Sequence, residues 1–294
     1  ALWNIPHIFS TLEVFQPPIS WLKFGVFQNI PDMLVTEETS QLPMFWLKEV
    51  LTNASLAIAG IVKNKQPIPK STKPLIGATM FGVTTPCVTK AREYLESKGY
   101  EVVVFHATGS GGRSMEGLTE SGYFEGILDI TTTEWCDELV GGVLAAGPDR
   151  LNAAPLNKVP QVVSVGALDM VNFGPVSTVP TKFDGRLFYE HNATVTLMRT
   201  TVEENAKLGE IIGKKVSQSE KGLTTFFIPL QGVSMIDKDG MPFNGVEERE
   251  TLYNTLRENI DTSKVELVEM DNHINDDDFA VAMAKKLVEL IESK

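Results

Sequence analysis

The sequence predicts an α/β fold in which an open parallel sheet is covered by helices on both faces, in a Rossmann-like arrangement. Short apolar runs alternate with longer amphipathic segments from residue 74 to residue 292. Several runs are almost continuously apolar, as in residues 160–168 and 223–230, which is typical of strands buried on both faces. Polar and glycine-rich residues follow the runs, and open sheets bind ligands at that edge. We therefore expect a functional site at the carboxyl ends of the strands.

The predicted elements are strands and helices in turn. The strands are residues 74–81, 100–107, 124–130, 160–168, 223–230 and 263–271, and the helices are residues 85–99, 111–122, 135–145, 200–219, 247–259 and 276–292. The segment 189–201 (YEHNATVTLMRTT) is interpreted as a polar segment that a strand of this sheet runs into at its carboxyl end. This alternation implies right-handed crossovers between parallel strands.

Three parts are predicted along the chain. Residues 74–294 form a complete α/β domain, and residues 1–65 form a partial, divergent α/β domain in which only residues 45–62 indicate a helix. Proline interrupts the rest of that first part. Lysine and proline dominate the stretch between the two parts without apolar periodicity, so we predict a linker at residues 66–73.

Composition limits the function. A net charge of −12 and a pI near 4.9 argue against non-specific binding to nucleic acid or to an acidic membrane surface. The apolar stretches are too short for a membrane span and no signal peptide is indicated. The two cysteines, Cys87 and Cys136, indicate reduced thiols. We therefore expect a soluble, cytoplasmic protein with a small-molecule ligand or a protein partner.

The segment that follows the second predicted strand is the most informative. Three glycines there allow a tight backbone turn close to a ligand, hydroxyls lie beside them, and an arginine begins the next helix with donors suited to carboxylate or phosphate. These candidate binding residues are Thr108, Gly109, Ser110, Gly111, Gly112 and Arg113. The pattern is neither a Walker A loop nor a dinucleotide fingerprint, and a tight turn without a ligand is the alternative.

Other polar residues follow the remaining strands. Thr84 and Thr85 come after the first strand and begin a helix whose free N–H groups favour an anion, with an ordinary helix cap as the alternative. Further candidates in ligand binding are Asn172 and Arg199, and carboxylates that could act as acids or bases are Glu134 and Asp169.

Three histidines, His106, His191 and His273, are predicted to follow strands and so to meet at one edge of the sheet. Because histidine titrates near neutral pH, we interpret them as candidate catalytic residues beside Glu134 and Asp169. Capping or packing is the alternative for each histidine. A metal site is the weaker possibility, since no HxH, HxxxH or HxxE spacing occurs, and we predict none.

Six segments in order carry a resemblance to a known family: FGVTTPCV, VFHATGSGGRSME, LDITTTEWCDELVGGV, GALDMVNFGP, HNATVTLMRTT and HIND. They are similar to the tomato mosaic virus resistance protein-like family over about residues 47–294. The resemblance implies two α/β domains, the second complete here, with ATP binding and homodimers. For the plant member it implies an inhibitory contact with a viral replication protein. ATP or another phosphorylated small molecule is therefore the suspected cofactor.

These observations leave three hypotheses. The first is an α/β module that binds a small molecule bearing a phosphate or a carboxylate, possibly a nucleotide. The second is an enzyme of unknown reaction that uses a histidine and a carboxylate of the same edge. The third is an interaction module or homodimer that inhibits a partner, with apolar contacts around Phe15, Trp21 and Trp46.

Overall fold

The computed structural model describes residues 44–64 and 73–294. Most of the predicted partial domain and linker, together with Phe15 and Trp21, lies outside the described residues. The described residues 73–294 lie in one compact unit. The predicted N-terminal helix is present as α1 (Met44–Lys63) and is described by itself. Among the described helices, none combines the length and the apolarity that crossing a membrane requires.

The compact unit contains a six-stranded sheet in which every pairing is parallel. The strands are β1 (Leu75–Met80), β2 (Glu101–His106), β3 (Gly126–Thr131), β4 (Gln161–Gly166), β8 (Thr224–Pro229) and β9 (Val265–Met270). Their order in the sheet is β2-β1-β3-β4-β8-β9. All six predicted strands of the sheet are therefore confirmed.

Helices cover both faces of the sheet, as predicted. They are α2 (Thr85–Ser97), α3 (Ser110–Glu120), α4 (Glu134–Val140), α5 (Ala153–Leu156), α6 (Val202–Val216), α7 (Val246–Asn259) and α8 (Asp277–Glu292). Helices α2 and α8 share one apolar core with side chains such as Leu128 of β3, whereas α3 and α5 pack with the neighbouring Ile127. Successive side chains thus enter opposite cores, which explains why β3, β4 and β8 are buried throughout.

Residues 170–199 contain a second sheet that the sequence did not predict. These residues form three antiparallel strands in the order β5-β7-β6: β5 (Met170–Phe173), β6 (Phe188–Asn192) and β7 (Val195–Arg199). The segment 189–201 is therefore a hairpin of its own rather than the end of a parallel strand. The Asn192 side chain accepts the N–H of Thr194 at 2.9 Å, a local bond that closes the turn between β6 and β7.

The helix predicted over residues 135–145 is shorter in the structure. Helix α4 ends at Val140 because Gly141 adopts a left-handed conformation with φ of 95° and donates its N–H to the Asp137 carbonyl. The carboxylate of Asp137 then accepts the N–H of Leu144 at 3.2 Å and holds the chain beyond the helix. This bond directs residues 144–145 toward the loop that begins α3.

Candidate functional site

The sheet changes direction at β1. Strand β2 lies on one side of β1 and β3 lies on the other, so the loops that follow β1 and β3 diverge at the carboxyl edge of the sheet. Ligands of open α/β sheets bind in the crevice at such a point. The loops after β1, β2 and β3 therefore form the candidate site, and they contain most of the predicted binding residues.

Two threonines join the loops after β1 and β3. The hydroxyl of Thr84 lies 2.8 Å from the hydroxyl of Thr131, and it also accepts the N–H of Phe81 at 3.0 Å. Thr84 is fully buried, so it fixes the geometry of the crevice. Thr85 is half-buried at the start of α2 and donates to the Phe81 carbonyl at 3.2 Å. Of the two predicted residues, only Thr85 reaches the surface.

The glycine loop, residues 109–113, follows β2 and begins α3. Gly109 has a φ of 82°, which favours glycine, and a Cβ at Gly111 would overlap the carbonyl oxygen of His106. The carboxylate of Glu134 accepts the N–H of Gly109 at 2.6 Å and the N–H of Gly112 at 3.1 Å. Glu134 is fully buried against Gly112. The structure therefore places this candidate acid or base beneath the loop, where it fixes the backbone.

A buried arginine that the sequence analysis did not single out supports Glu134 from below. Arg150 donates from Nε to Glu134 at 2.8 Å, and from Nη1 and Nη2 to Asp129 of β3 at 2.5 and 2.7 Å. It also reaches Glu116 of α3 at 3.1 Å. The side chain of Arg150 is 1% exposed. One guanidinium thus connects the sheet, the glycine loop and α3 through three carboxylates.

The outer surface of the glycine loop presents unused donors. The backbone N–H groups of Ser110 and Gly111 have no hydrogen-bond partner among the described residues, and Ser110 is exposed. Arg113 is also exposed, and its Nη1 donates to the Ala145 carbonyl at 3.0 Å. Half-buried Thr108 donates its hydroxyl to His106 O at 3.3 Å. The first turn of a helix with free N–H groups and an adjacent guanidinium attracts anions.

The three candidate histidines do not meet. His106 ends β2, is exposed, and stacks on Phe81 at 5.4 Å between ring centroids. His273 follows β9 and is half-buried, with Nε2 at 2.9 Å from the Ser234 carbonyl and Nδ1 accepting the N–H of Asn275. His191 lies exposed in β6 of the second sheet. The prediction that His191 follows a strand of the parallel sheet was wrong, because 189–199 form the β6–β7 hairpin.

His273 belongs to a second buried polar group at the carboxyl edge of β4 and β8. Ser234 donates its hydroxyl to Asp169 at 2.7 Å, and its carbonyl faces His273. Burial lowers the pKa of His273, and its two bonds fit the neutral ring with the proton on Nε2. Arg199 donates from Nε to the Phe243 carbonyl at 2.8 Å and lies 3.5 Å from Asp237. Arg199 is thus engaged inside the protein.

Asn172 lies in β5 and contacts α4 rather than the glycine loop. Its backbone N–H and its side-chain amide donate to the two carboxylate oxygens of Asp137 at 3.0 and 2.7 Å. Both residues are buried. Across residues 44–64 and 73–294, no three histidine, cysteine, aspartate or glutamate side chains are arranged as metal ligands.

Comparison with known proteins identifies the family. The model of the uncharacterised protein family (UPF0261) C-terminal domain matches residues 73–291. The chain belongs to the UPF0261 family. It is 61% identical to a UPF0261 protein of Clostridium tetani, over 83% of this chain and 60% of that protein. It is 50% identical to UPF0261 protein mlr3387 of Mesorhizobium japonicum, over 80% of this chain and 59% of that protein.

A plant relative confirms the resemblance seen in the sequence. The ToMV resistance protein Tm-1(GCR237) of Solanum lycopersicum is 44% identical over 83% of this chain and 33% of the tomato protein. The UPF0261 chain described here thus spans about 60% of its bacterial relatives and a third of the tomato protein. The matched family domain contains the whole parallel sheet and every candidate site residue.

Asp169 is expected to make the stability of this UPF0261 domain depend on pH. Burial raises its pKa from 3.8 to about 7, and the nearby carboxylate of Asp237 adds to the rise. The folded chain therefore keeps a proton that the unfolded chain releases between about pH 4 and pH 7, so the free energy of unfolding falls as the pH rises through this window. Asp169→Asn removes this titration. Its stability relative to the wild type is expected to rise between pH 4 and pH 8 by on the order of 4 kcal/mol at most.

Urea denaturation of both proteins at several pH values measures this difference. Asp239→Asn is the matched control because Asp239 is exposed, and its difference from the wild type should stay nearly constant. An Asp169→Asn difference that is equally flat from pH 4 to pH 8 would contradict the raised pKa.

Proposed function

We propose that this chain binds a small molecule through a phosphate or carboxylate group at the outer surface of the glycine loop. The observation that carries the proposal is that only some backbone N–H groups of the loop have an acceptor inside the protein. Glu134 accepts the N–H groups of Gly109 and Gly112, while those of Ser110 and Gly111, in the same turn as exposed Arg113, have no acceptor among the described residues. The inner carboxylate holds the loop in shape, and the outer donors supply the anion site.

The geometry favours an anion rather than a neutral ligand. The positive end of α3, two backbone donors without an acceptor and an always-charged guanidinium belong to one helix turn, in which Ser110 and Arg113 are exposed. Arg113 uses only Nη1 on Ala145, so the remaining N–H groups of its planar fork stay available for an oxyanion. Glu134 partly offsets the positive end of the helix from inside. We therefore expect inorganic phosphate alone to bind weakly and the rest of the ligand to add affinity.

The rest of the ligand is expected to extend toward the loop after β1. The exposed ring of His106 stacks on Phe81, and half-buried Thr85 begins α2 beside it. This surface offers a flat ring face, a hydroxyl and an imidazole donor next to the glycine loop. A phosphorylated molecule with a planar group fits this surface, and ATP, the cofactor implied by the family resemblance, is one member of that class.

Isothermal titration calorimetry of the full chain tests the proposal with inorganic phosphate, ATP, AMP and simple carboxylates. Arg113→Ala is expected to weaken binding of the ligand that binds the wild type by about 10- to 100-fold, since a hydrogen bond to a charged group contributes roughly 1.5–3 kcal/mol. Arg92→Ala is the control, because Arg92 is an exposed arginine that pairs with Glu96 on α2. It should leave the affinity unchanged.

Two outcomes would count against the anion site. Equal affinities in Arg113→Ala and Arg92→Ala would show that Arg113 does not contact the ligand. No heat with any phosphate or carboxylate compound would favour the interaction hypothesis. The homodimer and a protein partner stay predictions of the family resemblance.

A further inference from the structure

Buried polar atoms without a partner are concentrated in one part of the fold. In the portion of the chain that the structure describes, four buried side-chain nitrogen or oxygen atoms have no hydrogen-bond partner. They are Thr133 Oγ1, Trp135 Nε1, Asp169 Oδ1 and Asn172 Oδ1. Leaving such an atom unpaired in the interior destabilises the fold. Their confinement to residues 133–135 and 169–172 indicates one place where a polar group is expected to bind.

These two segments pack directly against each other. The N–H of Thr132 donates to the Gly166 carbonyl at 3.2 Å, where β3 and β4 end side by side. One turn further, Cys136 Sγ lies 3.4 Å from the Leu168 carbonyl, and the N–H of Asn172 reaches the Asp137 carboxylate at 3.0 Å. The first turns of α4 thus run along residues 166–172. The two segments that carry the unpaired atoms therefore adjoin at the carboxyl edge of β3 and β4.

The bonds that the same side chains do make fix which atoms remain free. Asp169 uses Oδ2 to accept the Ser234 hydroxyl at 2.7 Å, which leaves Oδ1 unpaired. Asn172 donates its Nδ2 to one carboxylate oxygen of Asp137, and the other oxygen of Asp137 accepts two backbone N–H groups. The amide oxygen of Asn172, Oδ1, is left without a partner. With the Thr133 hydroxyl, three oxygens that can accept hydrogen bonds stay unpaired.

The two carboxyl groups of the region accept no hydrogen bond from a charged side chain in the described residues. Arg199 directs its guanidinium at the carbonyls of Phe243 and Asp169, at the Thr200 hydroxyl and toward Asp237, so no arginine hydrogen bond reaches the Asp169 carboxylate in the described residues. Asp137 is bound only by N–H groups of Leu144 and Asn172. Burial raises the pKa of both Asp137 and Asp169 to about 7, although the charge of Arg199 opposes the rise at Asp169.

We propose that the region around Thr133, Asp169 and Asn172 is a second binding site, which takes the primary ammonium group of a small molecule. An ammonium group has three N–H donors and one positive charge, which matches three unpaired oxygens of which one belongs to a carboxylate. An anion is disfavoured by the two buried carboxyls. The site is built from Thr133 at the start of α4, Asp169 just before β5 and Asn172 within β5, and it uses none of the donors of the glycine loop.

Thermal unfolding of the full chain at pH 8, where the Asp169 carboxyl is ionised, tests this site with ammonium chloride as the probe, against potassium chloride and tetramethylammonium chloride at equal ionic strength. Potassium has the same charge and a similar size, and tetramethylammonium has the charge without N–H donors. The wild type is expected to show a saturable rise of the midpoint with ammonium alone, about 2–4 °C at roughly five times the dissociation constant. Asp169→Asn should abolish the rise, and Asp239→Asn and Arg113→Ala should keep it.

A second measurement does not depend on stability. Proton NMR of ¹⁵N-labelled ammonium with the wild type should show a bound signal in slow exchange with water, and that signal should be absent with Asp169→Asn. If Asp169→Asn does not fold, Thr133→Val removes one acceptor with little change in shape and should weaken both responses. An equal response to ammonium and potassium, or a response retained in the folded variants, would overturn the proposal.

Discussion

Arg150→Met is expected to lower the free energy of unfolding by about 3–5 kcal/mol, because breaking a buried ion pair leaves uncompensated charge in the interior. Asp129, Glu134 and Glu116 all accept hydrogen bonds from this one guanidinium. Burial already raises the pKa of Glu116, although Arg150 opposes the rise. Methionine keeps much of the length of the side chain and removes its charge. Denaturation of the full chain by guanidinium chloride at pH 7 measures the difference in the free energy of unfolding between Arg150→Met and the wild type.

Arg92→Met is the matched control for this change. Arg92 bonds to Glu96 one turn away on the exposed surface of α2, at 2.6 Å. Exposed pairs of this spacing contribute about 0.3–0.5 kcal/mol. If Arg150→Met were to cost no more than Arg92→Met, Arg150 would not be the link between the sheet and the glycine loop.

Gly111→Ala is expected to destabilise the fold by about 1–3 kcal/mol and to abolish anion binding. The added Cβ would overlap the backbone carbonyl of His106, which belongs to β2 and cannot rotate away as a side chain could. The first turn of α3 would therefore have to shift, and the N–H groups of Ser110 and Gly111 would move with it. Thermal unfolding and calorimetry with the same protein measure both effects.

Gly117→Ala makes the same chemical change within the same helix and is expected to have the opposite sign. A Cβ at Gly117 would meet no atom within 4 Å. Alanine in an exposed helix interior stabilises by about 0.5–1 kcal/mol relative to glycine. If both variants were stabilised, the close approach of the glycine loop to β2 would be incorrect.

The sequence predicted the parallel sheet because its inner strands are buried on both faces. Residues 161–166 and 224–229 belong to almost continuously apolar runs, the pattern of strands that are covered on both faces. Every residue of both strands is buried in the structure. The second sheet was missed because the polar residues Glu190, His191 and Asn192 suggested a loop. The run VTLMR at 195–199, which begins with two β-branched residues after the turn at Asn192, is the signal that could have predicted the hairpin.

The candidate site was predicted in outline but not in its chemistry. The glycine loop could be located because glycines and an arginine follow a strand. The sequence could not show that Glu134 fills the inner donors, since residues 109 and 134 meet only through the pairing of β1 with β2 and β3. Asp129 could have indicated the buried ion pairs beneath the loop, because a carboxylate inside an otherwise apolar strand needs a buried partner. That partner, Arg150, lies in a segment without periodicity.

An NMR titration of the ¹⁵N-labelled chain with inorganic phosphate tests the central claim most directly. The anion site predicts saturable shifts of the Ser110 and Gly111 amides, with smaller shifts of the Gly109 and Gly112 amides that Glu134 holds. The shifts should disappear in Arg113→Ala. Amides of residues 109–113 that stay unchanged while others shift, or no saturable shift at all, would contradict an anion site at the glycine loop.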